Sequence, residues 1–272
     1  MALPLEDSYG DIIGKAMRGL GLLDLNIMQE THMKIEQVRA ARSGAFEEAD
    51  ARKLSKPLRL NADALVEIGR GTYHPNITSI PTGLCQLTSN FGGDMQVNSY
   101  IVWDPATRQA ALFDTGTNPD QILEKLKSEN LKLENIFLTH THGDHIDCLP
   151  QLQKATGAPT HVQTNGNIGQ VQLFEWGQGF AIGNLKIETR RTTGHAEDGT
   201  TYVIHGLEQP VAVVGDAVFS GSMGGGAISY AQALETNLKN IYSLPDKTLL
   251  CPGHGPITSV ALEKQHNPFY MP

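Results

Sequence analysis

The 272-residue chain is short of cysteine, of basic charge and of long apolar runs, and each shortage removes a class of protein. Its three cysteines, Cys85, Cys148 and Cys251, are odd in number, far apart and never in a CxxC pair, so they supply no disulfide scaffold. They read as reduced thiols, and the compartment as cytoplasm. Lysine and arginine number 21 against 29 acids, a net charge of −8, which lacks the basic footprint of a nucleic-acid binder. No run is apolar for long enough to span a bilayer. The start, Met1-Ala2-Leu3-Pro4-Leu5-Glu6-Asp7, has neither the basic head nor the apolar stretch of a signal peptide. Internal repeats and low-complexity tracts are missing too. A small-molecule substrate is the expected partner, with neither nucleic acid nor membrane.

What remains is 40% hydrophobic, enough for one large domain or for one domain with a smaller appendage. Residues 1–75 read as a helical extension and residues 76–272 as the main domain. In the extension, Ile12, Ile13, Ala16, Met17 and Leu20 recur at helical spacing until Gly19 and Gly21 interrupt. A second helix is expected through Ile27, Met28, Ile35 and Val38, ending near Ser43-Gly44. A third covers Phe46 to Leu54 and stops before Pro57, and a fourth runs from a cap at Asn61 to Gly69. These amphipathic faces suit packing on the main domain or a homodimer contact.

From about Ile77 the chain turns to short β-type runs broken by Gly, Asn, Asp and Pro. "SYIVWD" and "QAALFDTG" flank the turn "PATR" as paired strands, and "NPDQILEKLKSEN" is a helix capped by Asn118. Further strands are expected at "NIFLTH", "PTHVQT", "LKIETRRTTGH", "TTYVIHG", "PVAVVGDAVF" and "TLLCPGH", with helices at "LPQLQKATG" and about Tyr230 to Tyr242. Strands outnumber helices, which points to an α/β protein of two sheets faced by helices rather than a repeating βαβ array.

The chemistry is concentrated in "THTHGDH", where His140, His142, Asp144 and His145 follow an apolar strand. On a continued strand His140, His142 and Asp144 would share a face, and Gly143 would let the chain turn to admit His145. Imidazoles with a carboxylate suit zinc, iron, nickel or manganese, and the absence of thiolate ligands favours a catalytic over a structural ion. Three further groups stand at strand ends, where rigid sheets hold catalytic residues: His195, Asp216 directly after Gly215, and His254 between two glycines. Asp198 is a candidate partner for a metal-bound imidazole, and Tyr230 a candidate hydroxyl donor. Met223-Gly224-Gly225-Gly226 reads as a flexible loop, or as backbone able to approach an anion. His32, His74, His161, His205 and His266 show no ligand grouping.

"THTHGDH" resembles the HxHxDH signature of the metallo-β-lactamase superfamily, and His195, Asp216 and His254 complete that family's ligand series in order. The resemblance covers about Ile77 to Phe269. It implies an αββα sandwich with two divalent transition-metal ions at one edge, zinc first and iron or manganese as alternatives. His140, His142 and His195 would form the first site, Asp144, His145 and His254 the second, and Asp216 the bridge. Two cations sharing a hydroxide would supply a nucleophile near neutral pH, with Asp144 orienting it and passing a proton as the intermediate collapses. His142, where flavodiiron proteins usually carry glutamate, disfavours that branch.

"LLCPGHGPIT" and "EKQHNPF" look like the glyoxalase II-type hydrolases, which cleave S-acylglutathione thioesters such as S-lactoylglutathione. "GDAVFSGSMGG" follows that pattern as far as Gly221-Ser222, after which many relatives carry a basic residue and this chain does not. The helical domain that follows the last histidine in longer relatives is also absent from the sequence. The expected reaction is therefore hydrolysis of a thioester, ester or lactone. The superfamily also holds mononuclear-iron persulfide dioxygenases and lactonases, which use the same motif set.

Overall fold

The computed structural model describes residues 3–93, 95–164 and 168–271. Five helices come first: α1 (Tyr9–Leu20), α2 (Asp24–Thr31), α3 (Ile35–Arg42), α4 (Glu48–Leu58) and α5 (Ala62–Arg70). Ser8 opens α1 with a reciprocal cap, its Oγ accepting from Asp11 N–H while Asp11 accepts from Ser8 N–H. Asn61 caps α5 as the sequence indicates. Three boundaries differ from expectation. The second helix is two, because His32 takes a left-handed backbone at φ 55° and ends α2 before α3 begins. Pro57 lies inside the last turn of α4, which ends one residue later with Arg59 in the left-handed region. Helix α5 runs through Gly69 and closes at Gly71, whose positive φ suits the cap.

The first sheet runs β1 (Leu84–Phe91), β2 (Met95–Trp103), β3 (Gln109–Phe113), β4 (Lys132–Phe137), β5 (Thr160–Val162) and β6 (Gln172–Leu173), neighbours in that order. Helix α6 (Pro119–Ser128), the single turn α7 (Gly143–Ile146) and α8 (Leu149–Thr156) connect its parallel strands β3, β4 and β5. The second sheet holds β7 (Gly179–Ile182), β8 (Leu185–Arg191), β9 (Thr200–His205), β10 (Val211–Gly215), β11 (Leu249–Pro252) and β12 (Thr258–Ser259). Helix α9 (Tyr230–Asn240) links β10 to β11, and α10 (Val260–His266) follows β12.

Alternation along the strands explains the layering. Tyr100, Phe113, Phe137, Tyr202 and Val213 point into one core between the sheets. Their neighbours Ile101, Leu112 and Ile136 face α6 and α8 in a second core. Val203, Ala212, Val214 and Leu250 face Ile241 and Val260 in a third. Both faces of each sheet are therefore covered, giving the expected αββα order. The N-terminal helices bury Ile12, Ile13, Leu54 and Leu65 in a fourth cluster that takes in Tyr230 and Ala233 of α9 and Phe269. Asn61 N–H donates to Pro268 O at 2.8 Å, and Tyr73 OH donates to Glu263 Oε1 at 2.9 Å, so the helical layer is bonded to the end of the chain as well as packed on it. Cys85, Cys148 and Cys251 are free thiols. Among the described residues no helix is long and apolar enough to cross a membrane.

Candidate metal centre

Strand β4 ends at Phe137, so the histidine cluster does not continue it. Thr139 stops the strand: its N–H and Oγ–H both donate to the Asp114 carboxylate, at 2.7 and 2.8 Å. After His140 and His142 the chain makes the single turn α7, with His145 N–H donating to His142 O at 3.0 Å. That turn, rather than a strand face or a left-handed glycine, places Asp144 and His145 beside His140. The other sheet brings His195 from the loop after β8, Asp216 from the end of β10 and His254 from the end of β11. All seven groups converge.

They fall into His140, His142 and His195 on one side, Asp144, His145 and His254 on the other, and a third group, His140, His145 and Asp216, that joins the two sets. His142 Nδ1 lies 3.1 Å from both His140 Nε2 and His195 Nε2. Asp144 Oδ2 lies 3.3 Å from His254 Nε2 and 3.4 Å from His145 Nε2. Asp216 stands between the sets, with Oδ2 at 3.4 Å from His195 Nε2 and from His254 Nε2, and Oδ1 at 3.3 Å from His145 Nε2. Tetrahedral ligands at about 2.0–2.1 Å from a cation stand roughly 3.3 Å apart, so these spacings suit a shared ion in each set.

The hydrogen bonds behind the rings fix their tautomers. His195 Nδ1 meets Gly225 O at 2.9 Å and His254 Nδ1 meets Gln96 O at 2.5 Å; carbonyls only accept, so both Nδ1 atoms carry the proton. His145 Nδ1 faces Asp114 Oδ2 at 2.9 Å. The Thr139 hydroxyl has committed its proton to Asp114, so His140 Nδ1–H must donate to Thr139 Oγ at 3.0 Å. Four Nε2 atoms are thereby aimed at the centre, where a cation taking the place of any proton on them would meet their lone pairs, as metal-bound imidazoles require. His145 Nε2 and Asp216 Oδ1 are buried and have no hydrogen-bond partner. Such atoms cost about 1–3 kcal/mol each unless a partner is supplied, and a cation supplies one to both. The donor set therefore fits divalent metal.

Burial and charge act in opposite senses here. Burial, then the nearby His145, hold His140 well below the ordinary histidine range, which keeps it neutral. Burial opposes charge on His145 most strongly, yet Asp114 and Asp216 lift its pKa to about 10. Burial likewise opposes charge on His254, but Asp216 and Asp144 raise it to about 11. Burial favours a neutral Asp216, and His145 and His254 outweigh it, so the carboxylate stays ionised well below the usual range. The centre thus concentrates negative charge that attracts cations, whether protons or metal.

Close packing enforces the geometry. A Cβ on Gly253 would lie 2.2 Å from Asp216 Oδ1 and 2.6 Å from His145 Cε1. One on Gly224 would lie 2.0 Å from Asp216 O and 2.9 Å from His195 Nδ1. Within the glycine-rich segment Gly224 is therefore a close-fitting part of the wall, whereas a Cβ on Gly225 would meet nothing and one on Gly226 would meet Tyr230. Asp198 is buried with Oδ2 unpartnered, but it is Gly225 that holds His195. Tyr230 does not reach the cleft; its ring packs against Gly19 and the edge of Phe269. Sequence reasoning missed Asp114, whose signal is an acid closing the strand "ALFD", and also Thr139 and the carbonyls of Gln96 and Gly225. Of the five histidines set aside, His74, His161 and His266 bond to Leu3 O, Asn135 and Glu67, away from the cluster.

The sequence pattern described as "Metallo-beta-lactamase superfamily" matches residues 92–166, which include the histidine cluster. A "Beta-lactamase hydrolase-like protein" of Agrobacterium fabrum is 31% identical over 57% of this chain, which spans only 43% of that protein's length. "Hydroxyacylglutathione hydrolase GloC" of Haemophilus influenzae is 25% identical over 64% of this chain and 92% of its own. The crystal structure of ETHE1 from Myxococcus xanthus superimposes with a TM-score of 0.60 at 30% identity, covering 68% of this chain and 83% of that one.

Proposed function

The chain belongs to the metallo-beta-lactamase superfamily, and we propose that it is a metal-dependent hydrolase whose two ligand sets each hold a divalent cation. His140, His142 and His195 would hold one, Asp144, His145 and His254 the other, and Asp216 would reach both. The observation that carries this reading is Asp216 Oδ2, equidistant at 3.4 Å from His195 Nε2 and His254 Nε2. When bound, such ions polarise a carbonyl and lower the pKa of water toward neutrality. Mixed imidazole and carboxylate donors suit zinc first, with iron or manganese as alternatives.

The protein's own groups do the rest. His142 is the exposed member of the cluster while His140 and His145 are buried, so substrate reaches the centre from the His142 side. Asp144, buried beside His145 and His254, would accept the proton of the attacking water and then return it to the leaving group. For a thioester the balance is one water consumed, one carboxylic acid and one thiol released. The likeness to the Haemophilus hydrolase supports an S-acylglutathione-like thioester. The segment Met223-Gly224-Gly225-Gly226 offers no basic side chain to a glutathione carboxylate, which favours a smaller or less anionic thioester, an ester or a lactone.

Purified protein is expected to carry close to two divalent ions per chain and to hydrolyse at least one of S-lactoylglutathione, simple thioesters or lactones. A single iron per chain with oxygen consumption on glutathione persulfide would replace this reading with dioxygenase chemistry. Metal-loaded protein inert across the panel would reduce it to a metal-binding one.

A further inference from the structure

From the contacts of α1 we infer that Lys15 is a positioning residue for the metal centre, clamping the loop between β10 and α9 where that loop sets His195 and Asp216. The inference rests on the metal reading above and extends it to helices that precede both sheets. Lys15 Nζ donates to Met223 O at 2.8 Å and pairs with Asp7 Oδ2 at 2.5 Å. Asp7 Oδ2 also accepts from Ser222 Oγ at 2.5 Å. Ser222 and Met223 are thus both held from the N-terminal side, and the next two residues touch the centre. Gly224 N–H donates to Asp216 O at 3.0 Å, and Gly225 O accepts from His195 Nδ1 at 2.9 Å.

A second route runs through an aromatic ring. Lys15 Nζ sits 5.0 Å from the centroid of Phe219, and Phe219 meets the His254 ring edge-on with centroids 5.5 Å apart. One remote ammonium therefore contacts Met223, the neighbour of the residues that bond Asp216 and His195, and Phe219, which packs on His254. The segment from Phe219 to Ser229 contains no charged residue, so the loop has no cation of its own for this duty. The side chains of Lys15 and Asp7 are only 14% and 8% exposed, which makes their charge-assisted bonds stronger than surface pairs. Replacing Lys15 with an apolar residue would strand the Asp7 carboxylate and leave Met223 O without its donor.

The test compares zinc affinity, by chelator competition, with melting temperature and with the visible spectrum of the cobalt-substituted protein. Lys15→Met is expected to weaken zinc binding about 10-fold, as loss of an outer support does, and to alter the cobalt spectrum. Lys15→Arg should recover most of both. Leu54→Ala, a cavity in the helical core that leaves the Lys15 bonds in place, should lower the melting temperature yet keep wild-type zinc affinity and spectrum. Wild-type affinity and spectrum in Lys15→Met overturn the inference, and so does a Leu54→Ala variant that reproduces the zinc loss. If Lys15→Met does not fold, Ser222→Ala carries the test, with zinc expected about 3-fold weaker on loss of one hydrogen bond; unchanged affinity there overturns it equally. Wild type that retains no divalent ion sinks the metal reading and the clamp together. Wild type that binds zinc but hydrolyses nothing sinks the hydrolase reading alone, because the clamp is read by affinity.

Discussion

His140, His142 and His195 present three imidazoles and no acid of their own, with His142 exposed. Asp144, His145 and His254 are buried, include an acid, and have a second acid, Asp114, bonded behind His145. The backing differs in kind as well: a threonine hydroxyl and a glycine carbonyl behind the first set, a carboxylate and a carbonyl behind the second. Coulomb attraction to a dication strengthens with each nearby carboxylate and with burial. If each set holds an ion as proposed, the second is expected to retain its ion more tightly and the first to exchange one more readily.

Removing the shared group should erase this contrast. Asp216→Ala is expected to lower occupancy of both sets and to reduce hydrolysis at least about 100-fold, beyond the loss usual when only a ligand's support is removed. Metal analysis and turnover on the same sample check it, and retained activity would point to a single-ion centre. Asp114→Asn should sharpen the contrast from the other side. It removes the charge behind His145, so the tighter step of a zinc titration should weaken about 10- to 100-fold while the looser step holds. An unchanged tight step would mean that Asp114 serves Thr139 alone. Gly224→Ala pushes a methyl into Asp216 O and His195 Nδ1. Because Asp216 is shared, it should weaken both steps, by about 2 kcal/mol or roughly 30-fold, as overpacking against backbone does. His205→Ala, exposed and only 3.7 Å from Glu188, should leave both steps and the melting temperature unchanged within about 0.5 kcal/mol.

Much of this centre was legible because ligand chemistry is carried by side-chain type. His140, His142, Asp144, His145, His195, Asp216 and His254 stand out at strand ends with no structure in hand, and the structure brings all seven together. The supports were not legible, since Gln96 and Gly225 act through backbone carbonyls that any residue possesses. Asp114 and Thr139 look like ordinary strand-end residues until the turn after β4 is known. In the fold, alternation gave the two-faced strands and Asn61 and Asn118 gave their helix starts. The helix break at His32 was hidden because a histidine, not a glycine, adopts the left-handed backbone there. Pro57 misled because the helix carries the proline into its last turn and ends one residue beyond it, forgoing only the single bond that an N–H at that position would make to Lys53 O. Tyr230 takes the packing duty its sequence context allowed beside a hydroxyl-donor role, but nothing local shows that Gly19, more than two hundred residues earlier in the chain, leaves room for its ring.

Each ligand set takes two side chains from the first sheet's β4–α8 connection and one from a loop of the second, and Asp216 adds another from that second side. An ion in either set would accordingly act as a rivet through the seam of the sandwich, resisting the sliding of one half over the other. Metal loading should then slow amide exchange along β4 and β10 together, at positions whose own hydrogen bonds never change, making the cofactor a mechanical fastener as well as a reagent.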